Sequence, residues 1–201
     1  MKKFIVVMLS MLLVMSLGQV VLAQNGVGLN MTFAFDGGST VGGYVEYAFT
    51  DMFSLAFSVD LLTRSAKTPN SAPKYTFDLS GKFTILSGDK FNIGAQADIM
   101  WYKEENSAFG NTVWLFEMGP GIFADYIIYP KFKAYLNANF KLFIFGLGSH
   151  AFLNFSKGVF SMKSMEIGLM YDLGKYTRIG ISLNQHMLRK YGFGIKVEAV
   201  F

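Results

Sequence analysis

The chain of 201 residues contains no cysteine. This absence excludes disulfide bonds, thiolate metal sites and the lipid-modified cysteine that anchors lipoproteins. Charge is also scarce, because Asp, Glu, Lys and Arg make up only 16% of the residues, against about 25% in soluble domains. Leaving out Lys2 and Lys3 takes the 18 basic residues to 16, against 14 acidic residues, so the remaining chain carries about +2. This balance, without a long basic run, argues against a nucleic-acid partner.

Long hydrophobic runs are absent after residue 23. The one long apolar run, residues 4–22, follows two lysines and precedes Ala23. This order of a basic start, an apolar stretch and a small residue predicts a helical signal peptide over residues 1–23, cut after Ala23. An N-terminal transmembrane anchor is the alternative, because the run approaches membrane-spanning length. The abrupt change of composition at Gln24 favours the signal peptide and makes residues 24–201 one domain.

Glycine and aromatic residues are abundant, with 21 Gly, 21 Phe and 10 Tyr, and they favour strands and tight turns. Apolar residues alternate with small or polar ones in ten segments, which predicts ten β-strands. The apolar series of these strands holds roughly fifty positions and no charged residue. The ten segments are residues 27–35, 41–49, 53–61, 75–85, 91–101, 114–126, 132–142, 165–171, 179–183 and 191–201.

A sheet that is apolar on one face fits a soluble sandwich or lipocalin-like barrel, or a membrane barrel with its apolar face towards lipid. Strands of nine to eleven residues and aromatic residues at strand ends are typical of the membrane barrel. Short connections also alternate with long ones, as they do in such barrels. The short ones are 50–52, 87–90, 127–130 and 173–176, and the long ones are 62–74, 102–112 and 143–160.

The sequence therefore predicts an all-β fold, a transmembrane antiparallel up-and-down β-barrel of ten strands. Closure is expected because an open edge in hydrocarbon leaves backbone groups unpaired. An even strand number places both termini on the periplasmic side. Pro120 interrupts the sixth strand and predicts a bulge or break there. Residues 143–160 lose the alternation, so they are expected to form a long outer loop, an extension above the membrane or a lumen plug. Eight strands are the alternative to ten.

The polar series of the strands carries charges of both signs, which are expected to face the lumen. Such charges either form a structural network of pairs in a narrow, filled lumen, or line a thin pore for which the inward glycines leave space. The predicted lumen-facing charges are Glu46, Asp60, Asp78, Lys82, Asp98, Glu117, Asp125, Lys133, Lys141, Glu166, Asp172, Arg178, Lys196 and Glu198.

Aromatic residues near the strand ends predict girdles at the two membrane interfaces. The predicted girdle residues are Trp101, Trp114, Phe49, Phe53, Tyr126, Tyr129 and Tyr171. His150 and His186, the two histidines of the chain, fall in the predicted outer loops or rims and are the candidate groups for catalysis if the barrel is an enzyme. Sequence alone does not give a catalytic geometry, so no catalytic residue is predicted. Nor does any metal-ligand spacing or phosphate loop indicate a cofactor.

With this alternation and a final aromatic residue, the chain resembles small bacterial outer-membrane barrel proteins of the OmpA/OmpX/OmpW-like type over residues 26–201. The resemblance implies insertion into the outer membrane by the barrel-insertion machinery, with contacts to outer-membrane lipids and lipopolysaccharide-type headgroups. The residues similar to an insertion signal are Tyr191, Phe193, Ile195, Val197 and Phe201. A structural or surface-interaction role is the leading hypothesis. A narrow channel for ions or small solutes and an outer-membrane hydrolase or acyltransferase are the alternatives.

Overall fold

The computed structural model describes residues 25–35, 38–63, 75–106, 111–147, 160–186 and 190–201. These residues form eleven β-strands, in which every pairing between neighbours is antiparallel. The predicted signal peptide and its cleavage site lie outside the described residues. The strands are β1 (Gly26–Ala34), β2 (Ser39–Thr50), β3 (Phe53–Thr63), β4 (Tyr75–Ser87), β5 (Phe91–Asn106), β6 (Asn111–Tyr129), β7 (Phe132–Lys141), β8 (Phe143–Leu147), β9 (Ser161–Asp172), β10 (Thr177–His186) and β11 (Lys190–Val200).

Ten of these strands form a closed ring. Each of β1 to β6 pairs with the next strand, β7 pairs with β9, and β9, β10 and β11 lead back to β1. Among the described residues, the short strand β8 pairs only with β6, and it continues the line of β7 after Leu142. The predicted ten-stranded antiparallel barrel is confirmed, and the alternative of eight strands is wrong. No helix with the length and hydropathy of a membrane span occurs among the described residues.

The predicted break at Pro120 is a register shift on one side of β6. Towards β5 the ladder continues through Pro120, which pairs with Ala97. Towards β7 the ladder stops at Gly121, opposite Asn139, and resumes at Met118, opposite Phe143. Two residues of β6 therefore face three residues of the neighbouring segment, which runs from β7 into β8, and this mismatch is a β-bulge.

Gly119 allows β6 and the end of β7 to approach each other closely at this bulge. A Cβ atom there would collide with the backbone carbonyl of Phe140. The amide of Leu142 donates to the carbonyl of Met118 at 2.9 Å, so a backbone hydrogen bond bridges the shift. A proline, which lacks an amide proton, is thus placed where the regular ladder is already interrupted.

Two of the predicted long connections contain more strand than the alternation indicates. Residues 102–112 are predicted as a loop, but β5 runs to Asn106 and β6 begins at Asn111, so most of that stretch is a hairpin. That prediction is wrong because polar side chains above the membrane no longer alternate, although the backbone pairing continues. Within residues 143–160, β8 is an extension of the wall rather than a loop.

The two faces of the barrel are inverted relative to a soluble protein. Large apolar side chains such as Leu29, Phe57 and Ile181 are exposed on the outer face, where a solvating lipid phase would contact them. Most of the buried side chains lie on the inner face, and they include charged and polar groups. They also include large residues that the alternation places in the inner series: Tyr44, Met100, Tyr102, Phe123, Tyr135 and Met170.

Candidate functional site: the lumen

Two cavities of about 330 Å³ and 240 Å³ occupy the barrel interior. The first lies at the end with the short turns, since Asp51 and Arg178 line it. The second lies towards the long connections, since Thr76 and Gln185 line it. The residues that line both cavities are Glu46, Lys82, Asn137 and Lys196. Only side chains therefore separate the two spaces.

The side chains where the cavities meet form a layer of Tyr44, Tyr135 and Lys196, named the lumen layer below. The Lys196 ammonium lies 4.5 Å from the ring centroid of Tyr44 and 5.5 Å from that of Tyr135, which is within cation–π range. The Tyr135 hydroxyl donates to Glu166 Oε1 at 2.8 Å. A lysine held between two rings in this way lies between the two cavities.

Inward glycines accommodate the bulky residues of neighbouring strands. The Tyr44 ring lies over Gly28, and the Tyr135 ring lies over Gly168, so a Cβ at either glycine would collide with the ring. The same holds for Phe123 above Gly94. The sequence suggests that inward glycines leave space for a pore, but at these positions an aromatic ring from the next strand occupies that space.

A lysine that the alternation misses crosses the lumen. Lys163 lies in β9 where the register against β7 shifts between Asn139 and Phe140, and this shift turns it inward. Its ammonium donates to Asp78 Oδ2 at 2.8 Å and to Asp98 Oδ2. Its side chain is 3% exposed and that of Asp98 is 0% exposed. This three-residue cluster joins β9 to β4 and β5 and is named the Lys163 bridge.

The alternation alone would assign Lys163 to the lipid-facing series. Met162 is exposed on the outer face, and Ser164 lines the inner cavity. The single extra residue of the bulge therefore lies between an outward and an inward neighbour. The only sequence signal for it is a charge at an otherwise apolar position of the pattern.

Further charge pairs lie along the inner face. Lys82 contacts Glu46 Oε1 at 3.2 Å, and the Ser54 hydroxyl donates to the same oxygen at 2.8 Å. Lys141 contacts Glu117 at 3.6 Å, and the Tyr102 hydroxyl donates to Glu117 at 3.1 Å. Buried charges are stable only when they are paired in this way.

The end of the lumen with the short turns holds a second group of pairs. Lys133 contacts Asp125 at 2.8 Å, and both side chains are partly exposed. Arg178 Nε donates to Asp172 at 2.8 Å, and Arg178 also approaches Glu198 to 4.0 Å. Both groups of pairs join strands that are adjacent or nearly adjacent, whereas the Lys163 bridge spans the lumen.

The fourteen charges predicted to face the lumen all lie on the inner face. Asp60, for example, accepts a hydrogen bond from the Asn30 amide at 3.2 Å, directly above Gly42. Gln96 likewise donates to Asn139 above Gly121. A role for these residues in transport or in stability stays a prediction.

The predicted girdle and insertion-signal residues lie on the outer face. Trp101 is half-buried against Phe57 and Phe77. The exposed members of both sets are Trp114, Phe49, Phe53, Tyr126, Tyr129, Tyr171, Tyr191, Phe193, Ile195, Val197 and Phe201. Their roles at the interfaces and in insertion stay predictions. His150 lies outside the described residues, and His186 ends β10 without a described side chain.

No family model matches the chain, and no curated protein matches it in sequence. Solved structures do match. An outer membrane channel from Pseudomonas putida F1 has a TM-score of 0.54 and 11% identity, with 92% of this chain and 97% of that chain covered. The outer membrane protease OmpT from Escherichia coli has a TM-score of 0.51 and 9% identity, with coverage of 90% and 99%. The chain thus has the fold of bacterial outer-membrane β-barrels.

Proposed function

We propose that the protein is an integral outer-membrane barrel with a side-chain-filled lumen and a structural or surface-interaction role, rather than an enzyme or a general porin. The observation that carries the proposal is the lumen layer, in which Lys196 lies between the rings of Tyr44 and Tyr135 where the two cavities meet. A barrel of this size has an interior about wide enough for side chains to fill. The Lys163 bridge obstructs the lumen a second time, nearer the long connections.

A lipid-inserted barrel explains the surface as well as the interior. Exposed Leu, Ile and Phe side chains cover the outer wall, and in water such a surface would aggregate. Under this proposal both termini lie on the periplasmic side, where the short turns are, and the long connections face outward. The last strand, β11, and Phe201 after it would present their outward aromatic and apolar residues to the insertion machinery.

Planar-bilayer recording tests the closed lumen. We expect folded wild-type protein, verified by heat-modifiable migration on a gel, to give no regular conductance steps. The double variant Tyr44→Ala/Tyr135→Ala removes both rings of the lumen layer, and we expect it to give such steps. The matched control Tyr126→Ala/Tyr129→Ala removes two exposed rings from the outer face and is expected to stay silent. Regular steps from the wild type would contradict the proposal.

A narrow channel for ions or small solutes is the second candidate. It is favoured by the two polar cavities, which share Glu46, Lys82 and Lys196 as lining residues. Rotation of one or two side chains between these cavities would join them into a path. Wild-type conductance in the same recording would support this candidate. The hydrolase or acyltransferase alternative rests on His150 and His186 in the sequence. No contact among the described side chains adds support to it.

A further inference from the structure

One exposed lysine stands apart from all other basic residues with described side chains. Six of these basic residues lie on the inner face, as described above, and Lys90, Lys131 and Lys175 lie at the short turns. The remaining basic residue is Lys103. It is exposed on the outer wall near the C-terminal end of β5, at the end of the barrel that carries the long connections. Among the described side chains it is the one charge on an apolar wall, and such a cation attracts an anionic group of the surrounding lipid.

Both tryptophans of the chain flank this lysine. Trp101 lies two residues earlier on the same face of β5, and Trp114 lies directly opposite Lys103 in β6. Trp101 stacks on Phe77, with ring centroids 5.6 Å apart and an interplanar angle of 17°. Phe77 stacks in turn on Phe57 at 6.4 Å. The outer wall therefore carries a continuous aromatic patch beneath one charge, which is named the Lys103 patch.

The height of the patch matches a membrane interface. Phe91, at the start of β5, lies beside a short turn and is exposed on the outer face. Ten residues separate it from Trp101. With a rise of about 3.3 Å per residue and a strand tilt of about 40°, they span about 25 Å, the height of the apolar band of such barrels. Lys103 then lies about 5 Å above that band, level with lipid headgroups.

We propose that the Lys103 patch binds the phosphorylated headgroup of a glycolipid in the outer leaflet. The ammonium of Lys103 would pair with a phosphate, and the indole N–H groups of the two tryptophans would donate to headgroup oxygens. The stacked rings of Trp101 and Phe77 would contact the acyl chains below. This inference rests on the proposed membrane location, and it assigns the expected contact with phosphorylated headgroups to one site with named residues.

The fluorescence of the two tryptophans reports on the Lys103 patch alone, because the chain has no other tryptophan. The full mature chain is refolded into phosphatidylcholine vesicles that contain increasing mole fractions of diphosphoryl lipid A with a nitroxide on its acyl chains. Quenching of tryptophan fluorescence then measures the enrichment of this lipid at the patch over phosphatidylcholine. The same labelled lipid without its phosphates serves as the chemical control.

We expect the wild type to enrich the phosphorylated lipid about fivefold over Lys103→Gln. Lys103→Arg should keep the enrichment, because it keeps the charge. Lys131→Gln, a matched change at the opposite end of the barrel, should behave as the wild type. Equal quenching of the wild type and Lys103→Gln, or equal quenching by the dephosphorylated lipid, would overturn the proposal. Ion leakage from the same vesicles would instead overturn the closed lumen and leave the lipid comparison intact.

Discussion

Lys163→Met is expected to lower the free energy of unfolding by about 3–5 kcal/mol, because it leaves a fully buried carboxylate without its cation. Asp98 is 0% exposed and contacts the Lys163 ammonium through Oδ2. Its other oxygen, Oδ1, accepts no hydrogen bond from the described residues. Methionine keeps the approximate volume of the side chain, so the loss of charge dominates the effect. Asp78 is affected less, since its side chain is 25% exposed.

The measurement is urea-induced unfolding in lipid vesicles, monitored by tryptophan fluorescence. Lys133→Met is the matched control, because the Lys133–Asp125 pair is 36% and 25% exposed and such pairs contribute at most about 1 kcal/mol. The double variant Lys163→Met/Asp98→Asn removes the stranded charge and should recover most of the loss. Equal effects of Lys163→Met and Lys133→Met would show that Lys163 does not bridge the lumen.

Ile181→Arg is expected to destabilise the barrel by about 2–4 kcal/mol in a bilayer, which is the effect of a cation at the midplane of a lipid-facing strand. Ile181 is 51% exposed and lies half-way along β10, between Leu169 and Ile195 in the register. In a soluble protein an exposed isoleucine tolerates arginine with a change of about 0.5 kcal/mol or less. The size of the effect therefore identifies the solvent that contacts the outer face.

The control for this variant lies at the edge of the apolar band. Tyr129 ends β6 beside a short turn and is 71% exposed, so Tyr129→Arg is expected to change the stability by about 0–1 kcal/mol. The measurement is again the free energy of unfolding in vesicles, with both variants compared under identical lipid conditions. A loss at Ile181 no larger than that at Tyr129 would contradict a lipid-facing wall.

Much of the barrel was predictable, because a lipid-facing wall imposes a strict period of two on the sequence. The uncharged outward series identified ten strands and the inner position of charges such as Glu46 and Lys196. Pro120 also marked its bulge correctly, since proline cannot donate to a ladder. These features depend on local chemistry that each residue carries with it.

The remainder depended on register, which the alternation does not specify. Whether Gly28 leaves a gap or receives the ring of Tyr44 is decided by which residue lies opposite it in β2. Lys163 was missed because a bulge reverses the inward and outward positions at one residue. The alternation predicts a loop where β5 and β6 form a long hairpin, because the backbone pairing continues beyond the membrane-imposed pattern.

The most direct test of the account is the solvent that surrounds successive residues of β10. The chain has no cysteine, so single cysteines at residues 178–184 carry one nitroxide each, and their collision rates with oxygen and with an aqueous nickel reagent are measured in vesicles. We predict a period of two, with high oxygen collision rates at Ile179, Ile181 and Leu183 and low rates at Gly180 and Ser182. Frequent collisions with the nickel reagent at Ile181, or no alternation along the strand, would contradict a closed barrel inserted in lipid.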